Sequence, residues 1–394
     1  MTREVVFVGA ARTAIGTFGG SLKEVPPADL GALVIKTAME RAGVQPKDVG
    51  HVVLGHVIPT VPQDAYISRV AALNAGVPQE TPAFNVNRLC GSGLQAVVSA
   101  AQSILLGDCD VAIGAGAESM SRGAYLVTSN RWGARMGDVK MLDFMLGALH
   151  DPRKHIHMGI TAENVAARYD ITREQQDAYS VQSQQRAAAA IEAGYFKEQI
   201  VAVELQTRKG TTLFDTDEHV KGDTTVEALG KMKPAFKKEE GTVTAGNASG
   251  LNDGAAAVVM ASAEKAKELG LKPLARLVSY GHAGVEPEYM GIGPVPASKA
   301  ALAKAGLTVA DLDVIESNEA FAAQACAVSK EMGFPNEKTN PNGSGISLGH
   351  PVGATGAILV TKALYELQRI KGRYALITMC IGGGQGIAMI IERI

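Results

Sequence analysis

The chain predicts an α/β layer fold assembled from two similar halves, and three observations carry that reading. Short β-branched runs alternate with Ala-rich runs of helical length, one stretch recurs near the far end, and a long segment between the copies has no counterpart. At 394 residues the chain exceeds the size at which one core usually keeps growing, so more than one domain is expected.

The runs at 5–8, 52–54, 111–113, 258–260 and 376–379 are apolar, mostly β-branched and short, and read as buried strands. The runs at 28–42, 94–106, 161–169, 173–194, 297–305 and 354–369 read as helices. Their alternation favours partly parallel sheets. The repeat lies between 40–55 (ERAGVQPKDVGHVVLG) and 303–318 (AKAGLTVADLDVIESN), an offset of 263. The same offset sets Cys90 opposite Gly353, 91–93 opposite 354–356, and the strand at Val111 near the one at Ala375. The two ends are thus expected to be one βα unit used twice about a pseudo-twofold axis, with room for a site between them. The unpaired stretch, 121–250, reads as an inserted domain over that site, with its polar part, 207–223, on the surface. The expected division is an N-terminal domain over 1–270, including the insertion, and a C-terminal domain over 271–394.

Charge narrows the partners. Net charge is −2, and runs such as Lys237-Lys238-Glu239-Glu240 cancel themselves, so the basic stripe of a nucleic-acid protein is missing. The longest apolar stretch noted, 375–391, is broken by Gly382-Gly383-Gly384-Gln385, so no membrane span is expected. Met1-Thr2-Arg3-Glu4 leads straight into a strand-like run, unlike a signal peptide, and the cytoplasm is the expected setting. The four cysteines, Cys90, Cys109, Cys326 and Cys380, have no metal-finger spacing, and reduced thiols fit best.

Context separates these thiols. Cys90 lies in Asn87-Arg88-Leu89-Cys90-Gly91-Ser92-Gly93, just before an Ala-rich helix, where the helix dipole is expected to favour thiolate. Taken alone, a buried cysteine in a Gly-rich turn explains that motif equally well. Cys380 ends a strand that runs into three glycines, whose backbone N–H groups suit a developing oxyanion. His350, in Gly349-His350-Pro351, sits on a Gly-rich loop that the repeat makes the counterpart of the Cys90 loop, and it could take a proton from a thiol. Asn318-Glu319 follows a strand and reads either as a water or carbonyl ligand or as a helix cap. Cys109 and Cys326 read as packing, and His150, His155 and His157 as loop contacts rather than a metal site. Gly114-Ala115-Gly116-Ala117-Glu118 is a partial dinucleotide-like pattern that lacks the spacing and helix such a site needs.

Four motifs in this order, around Cys90, at Asn318-Glu319-Ala320-Phe321, at Gly349-His350-Pro351 with Gly353, and at Cys380-Ile381-Gly382-Gly383-Gly384, resemble the thiolase family along essentially the whole chain. Gly246-Asn247-Ala248-Ser249-Gly250-Leu251-Asn252-Asp253-Gly254 is a fifth match, and His157-Met158-Gly159 resembles the short-chain biosynthetic branch, including bacterial β-ketothiolases that supply polyhydroxyalkanoate synthesis. The resemblance implies the thiolase fold, two duplicated αβαβα-layered halves with an inserted loop domain, and an acetyl-CoA acetyltransferase. Its substrates would be acetyl-CoA, CoA and short 3-ketoacyl-CoA, with no cofactor and no metal, in a homodimer or homotetramer.

The resemblance also implies roles. Cys90 would be the acylated nucleophile, His350 its proton acceptor and a ligand of the thioester oxygen, and Cys380 the acid/base at the α-carbon. Asn318 would hold a water beside His350 in one oxyanion hole, and the N–H groups of Cys90 and Gly382 would form the other. Leu149, His157, Met158, Ala245, Ser249, Leu251, Ala320 and Phe321 would line the pantetheine channel. Met290 with Met158 would narrow its acyl end, and Lys221 would stand near the adenine. Two rivals are set aside on the motifs. A decarboxylating ketosynthase pairs its cysteine with two histidines, whereas the second position here is Cys380. A catalytically dead lipid-carrying relative would lack one of the four motif residues, and all are present.

Overall fold

The computed structural model describes residues 3–208 and 210–394; Met1, Thr2 and Lys209 lie outside them. The main sheet has eleven strands, nine of them in its continuous path: β1 (Val5–Thr13), β2 (His51–Gly55), β3 (Ala83–Val86), β4 (Val111–Ser119), β5 (Asn252–Ser262), β6 (Ala275–Gly284), β7 (Val314–Ser317), β8 (Tyr374–Ile381) and β9 (Gln385–Arg393), with the two-residue strands Gly16–Thr17 and Ile200–Val201 paired beside it. Seven longer helices accompany them: α1 (Pro27–Ala42), α2 (Ser92–Leu106), α3 (Met158–Arg168), α4 (Arg173–Glu192), α5 (Pro294–Ala305), α6 (Ala322–Met332) and α7 (Thr355–Ile370).

The strands lie in the order β7-β8-β9-β6-β1-β5-β4-β2-β3. Pairs β2–β3, β2–β4 and β7–β8 are parallel, and β4–β5, β5–β1, β8–β9 and β9–β6 are antiparallel. The two ends of the sheet therefore read as one pattern: β2-β4-β5-β1 on one side and β7-β8-β9-β6 on the other. β1 and β6 meet over only two residue pairs, Val6 with Arg276 and Phe7 with Ala275, and that short antiparallel join carries the sheet between halves. All nine residues of β1 and all eleven of β5 are buried, as strands covered on both faces must be.

The offset of 263 maps Ser92, the first residue of α2, onto Thr355, the first of α7. These helices pack together within one apolar cluster that includes Leu94, Val97, Leu359 and Ala363. They approach closely because Gly93 faces Gly356: a Cβ on Gly93 would lie 2.7 Å from the Ala357 nitrogen, and one on Gly356 would overlap Leu94. The first turns of both helices, and the loops that precede them, are thereby brought together. Leu89–Leu106 has the length and apolarity of a membrane span, contrary to the expectation from sequence; its apolarity here serves the contact with α7 and the sheet.

The chain leaves the sheet at Ser119, builds the inserted segment with α3 and α4, touches the sheet at Ile200–Val201, which pair with Arg12–Thr13 of β1, and returns in full at Asn252. Thr172 starts α4 with a capping box, its hydroxyl accepting from Gln175 N while the Gln175 side chain accepts from Thr172 N. The segment is fastened to β1 by a buried ion pair. Arg12 donates to both carboxylate oxygens of Asp217 at 2.8 and 2.9 Å and to Gln199 at 2.7 Å, and it lies over the Phe196 ring. Asp217 also accepts from Ile15 N at 2.9 Å. The expected surface stretch 207–223 is thus corrected at this point: Asp217 is buried, because its carboxylate answers the one guanidinium that points inward from β1.

Candidate active site

The Cys90 turn is built by its neighbours. Leu89 takes a left-handed conformation with φ of 47°, Arg88 N donates to the Ser92 hydroxyl at 2.8 Å, and that hydroxyl donates to Leu89 O at 2.7 Å. Such strain in a non-glycine residue persists only where its surroundings over-determine it. The turn sets Cys90 immediately before α2. Burial pushes the thiol up to about 11, against the N–H groups of Gly382 and of Cys90 itself, which favour the thiolate, while Glu118 raises it further. The expectation of a dipole-stabilised resting thiolate is therefore corrected. Desolvation outweighs the helix start, and Cys90 rests as a thiol that needs a base.

His350 supplies a base of the right form. It is buried, and that burial alone lowers its imidazolium to about 4, so the ring is neutral near pH 7. Nδ1 lies 2.6 Å from the Thr355 hydroxyl, which itself donates to Pro351 O at 2.9 Å. The hydroxyl has one proton and spends it on the carbonyl, so Nδ1 carries the ring proton and Nε2 is left unprotonated, with its lone pair toward Asn318 Nδ2. Asn318 Nδ2 stands 3.4 Å from that Nε2, while its Oδ1 is buried with no protein partner. Asn318 is not the cap of the helix that follows; α6 begins at Ala322 after Phe321. Glu319 anchors the strand end instead, accepting from Ser183 at 2.6 Å, Asn340 at 2.9 Å, Tyr179 at 3.2 Å and Ile346 N at 3.3 Å.

Cys380 is fully buried near the end of β8, opposite Gly386 of β9. Burial raises its thiol well above the ordinary range, and the neighbouring Cys90 raises it further. The two sulfurs therefore feel each other's charge. Gly382, in the turn that follows, sits beside Leu89 and Met158.

A cavity of about 400 Å³ opens at Cys90 and His350. Of the positions expected in the channel, Leu149, His157, Met158, Ala245, Ser249, Leu251, Met290, Ala320 and Phe321 all line it. His157 stacks on Phe236 at 4.6 Å, and its Nδ1 accepts from Gly159 N at 2.9 Å, which leaves Nε2–H as its donor. Lys221 stands apart from this wall, exposed, with its backbone N–H bonded to Gln184. Phe236, Met120, Met145 and Val352 also line the wall and were not singled out from sequence. A lone aromatic among lysines, as Phe236 is, was the available signal. Among the described residues, no three His, Cys, Asp or Glu side chains are grouped to hold a metal; His150 and His157 meet edge to face instead.

Known proteins share this arrangement from end to end. The family profile "Thiolase, N-terminal domain" matches residues 5–264, and "Thiolase, C-terminal domain" matches 271–393. The chain is 68% identical over 394 residues to "Beta-ketothiolase BktB" of Cupriavidus necator, covering all of both chains. It is 54% identical over 392 residues to an "Acetyl-CoA acetyltransferase" of Chromobacterium violaceum, covering 99% of this chain and all of the other. Among solved structures, the Bacillus anthracis acetyl-CoA acetyltransferase superposes with a TM-score of 0.97 at 46% identity, and human mitochondrial 3-ketoacyl-CoA thiolase with 0.97 at 44%; each covers 100% of this chain and 99% of the other. With its duplicated halves, its two facing loops and these matches over its whole length, the chain belongs to the thiolase family.

Proposed function

We propose that the protein is an acetyl-CoA C-acetyltransferase, which condenses two acetyl-CoA to acetoacetyl-CoA and CoA and cleaves short 3-ketoacyl-CoA in reverse, through an acyl group on Cys90. The observation that carries this reading is the pairing of a protonated Cys90 with a neutral His350, unprotonated at Nε2, in the wall of one cavity. His350 Nε2 takes the thiol proton as Cys90 sulfur attacks the acetyl carbonyl. The carbon–sulfur bond to CoA breaks, and the CoA thiolate takes its proton from Cys380, which leaves Cys380 a thiolate and His350 protonated at Nε2. A second acetyl-CoA enters and loses an α-proton to the Cys380 thiolate. The enolate carbon bonds to the acetyl carbonyl, and Cys90 departs as a thiolate that takes its proton back from His350, while Cys380 keeps the α-proton as a thiol. The Cys90 and Gly382 N–H groups serve the tetrahedral oxyanion, and His350 with the Asn318 water serves the enolate oxygen. The reading needs both thiols reduced, with which a cytoplasmic setting is in keeping, and it treats 1–270 and 271–394 as the two domains. Incubation with acetyl-CoA should leave one acetyl group per subunit on Cys90; peptide mass mapping that puts it on Cys109, Cys326 or Cys380 overturns the assignment.

Met158 and Met290 are both buried in the cavity wall, which supports their expected role of narrowing its acyl end. Four-carbon and five-carbon 3-ketoacyl-CoA are expected to be cleaved well, with activity falling for long chains. Equal kcat/KM for four- and sixteen-carbon substrates would contradict this.

A homotetramer is part of the same proposal. Tyr125, Met136, Met141 and Trp132 are exposed, Trp132 at 89% and Met136 at 97%, on a loop of the inserted segment. β3 is an open sheet edge that carries exposed Phe84. Apolar patches and open edges of this kind mark interfaces, and two distinct surfaces suit a dimer of dimers. The double variant W132E/M136E should halve the mass measured by light scattering. An unchanged mass would release that loop from the interface.

A further inference from the structure

Outside the four motifs, one buried charged group reaches from the N-terminal half to the loop of His350. Glu118 lies on β4 and is fully buried. Its Oε2 accepts from Gly353 N at 2.8 Å and from Val57 N at 3.1 Å, and its Oε1 accepts from Ile58 N at 3.1 Å. Gly353 is three residues past His350, so this one carboxylate ties the His350 loop to the chain that follows β2. The approach depends on glycine: a Cβ at 353 would lie 2.5 Å from Oε2. The next strand helps from the same side, with Asn252 of β5 accepting from His350 N at 2.9 Å.

The buried charge has a partner. His56 Nδ1 lies 3.1 Å from Glu118 Oε1 and 2.9 Å from Ala117 O. Both neighbours are acceptors, so Nδ1 carries a proton. Its other nitrogen is buried without a hydrogen-bond partner, 3.8 Å from Asp64 Oδ2. An imidazole between two carboxylates is held as the cation: burial disfavours the charge, but Glu118, Ala117 O and Asp64 override it and raise the ring to about 9. The ionisable groups that bear on Cys90 are Glu118 from β4, Cys380 from β8 and the neutral His350.

We infer that Glu118 and His56 are a positioning pair for acyl transfer: the carboxylate fixes the His350 loop against the half that bears Cys90, and the imidazolium cancels the negative charge this places near the nucleophile. The inference rests on the acyl-Cys90 reading, but its test does not depend on turnover alone. E118Q puts an N–H where a carboxylate oxygen accepted, so it loosens the loop. It is expected to lower kcat about 10- to 100-fold, since small misplacements of reacting groups cost that much, and to leave KM for CoA within twofold, because Glu118 does not line the channel. H56N keeps a donor for Ala117 O and removes only the charge, which leaves Glu118 uncompensated. Alkylation of Cys90 by iodoacetamide, followed by peptide mapping across pH, should shift to higher pH in H56N and not in E118Q. Only an electrostatic link to Cys90 gives that contrast; a purely structural brace would lower Tm and leave both profiles where they were. Two outcomes overturn the pair: kcat within twofold of the parent in both variants, or an H56N alkylation profile that superposes on the parent's. If E118Q does not fold, H56N carries the test. Failure of the acyl-Cys90 reading would look different, as a parent enzyme that alkylates at Cys90 yet takes no acetyl there.

Discussion

Cys380→Ser should retain exchange of labelled CoA into acetyl-CoA while losing condensation by about 10²–10⁴-fold, the usual cost of removing a positioned acid/base. Exchange reports acylation of Cys90 alone, and condensation adds the proton transfer at carbon. Cys380 is fully buried behind the cavity, and its thiol is raised first by that burial and then by Cys90. A thiol raised in this way gives a thiolate basic enough for the α-proton of a thioester, whereas a serine hydroxyl is a far weaker acid and seldom gives up its proton. Acylation takes away the Cys90 thiol, and with it any charge that this sulfur could set against ionisation of Cys380. Cys90→Ser should block exchange and condensation together. Equal loss of both activities in Cys380→Ser would mean that Cys380 helps to activate Cys90, and the separation of roles would fall.

The second large effect concerns stability. Arg12→Met should destabilise the protein by about 3–5 kcal/mol, the range for removing one member of a buried ion pair. The cost arises because Asp217 would keep a buried carboxylate with only Ile15 N to answer it. Asp217 belongs to the inserted segment and Arg12 to β1, so the loss should appear as a lower urea midpoint and as faster proteolysis within 121–250. The double variant R12M/D217L, which leaves no charge stranded, should recover much of the stability. A cost below about 1 kcal/mol for Arg12→Met would show that water reaches the carboxylate.

The parts of the fold that were legible in the sequence are those whose residues repeat a local rule. The β-branched runs at 52–54 and 111–113 lie inside β2 and β4, and the offset of 263 matches the starts of α2 and α7. β6 and β9 escaped notice because Arg276, His282 and Gln385 interrupt their apolar pattern, and their pairing with each other, not local propensity, makes them strands. Cys90, His350, Cys380 and Gly382 stood out through their Gly-rich surroundings, since backbone that must approach a substrate declares itself in small residues, and Asn318 through its place after a strand. Their charge states were not. The helix start beside Cys90 argues for thiolate, and only the burial seen in three dimensions decides for the thiol. Glu118 hid within a glycine pattern set aside as an incomplete nucleotide motif, and Asp217 within a polar stretch, because a buried carboxylate looks like any other until its partners are known. Lys221 was placed by resemblance alone and stands outside the cavity wall.

The position of β1 at the middle of the sheet has a consequence for how the protein is made. Val5–Thr13 leaves the ribosome long before its main sheet partners, β5 at residues 252–262 and β6 at 275–284. Between them stands the whole inserted segment, so a nascent chain of about half length holds an apolar strand with neither neighbour synthesised. At about 5–20 residues per second, that strand waits for some tens of seconds. Pairings this distant in sequence are slow to form, and they leave strand edges open meanwhile. Truncated chains that end before residue 252 should therefore be recovered as aggregates or bound to holding chaperones, and recovery in soluble form should begin only with lengths that include β5.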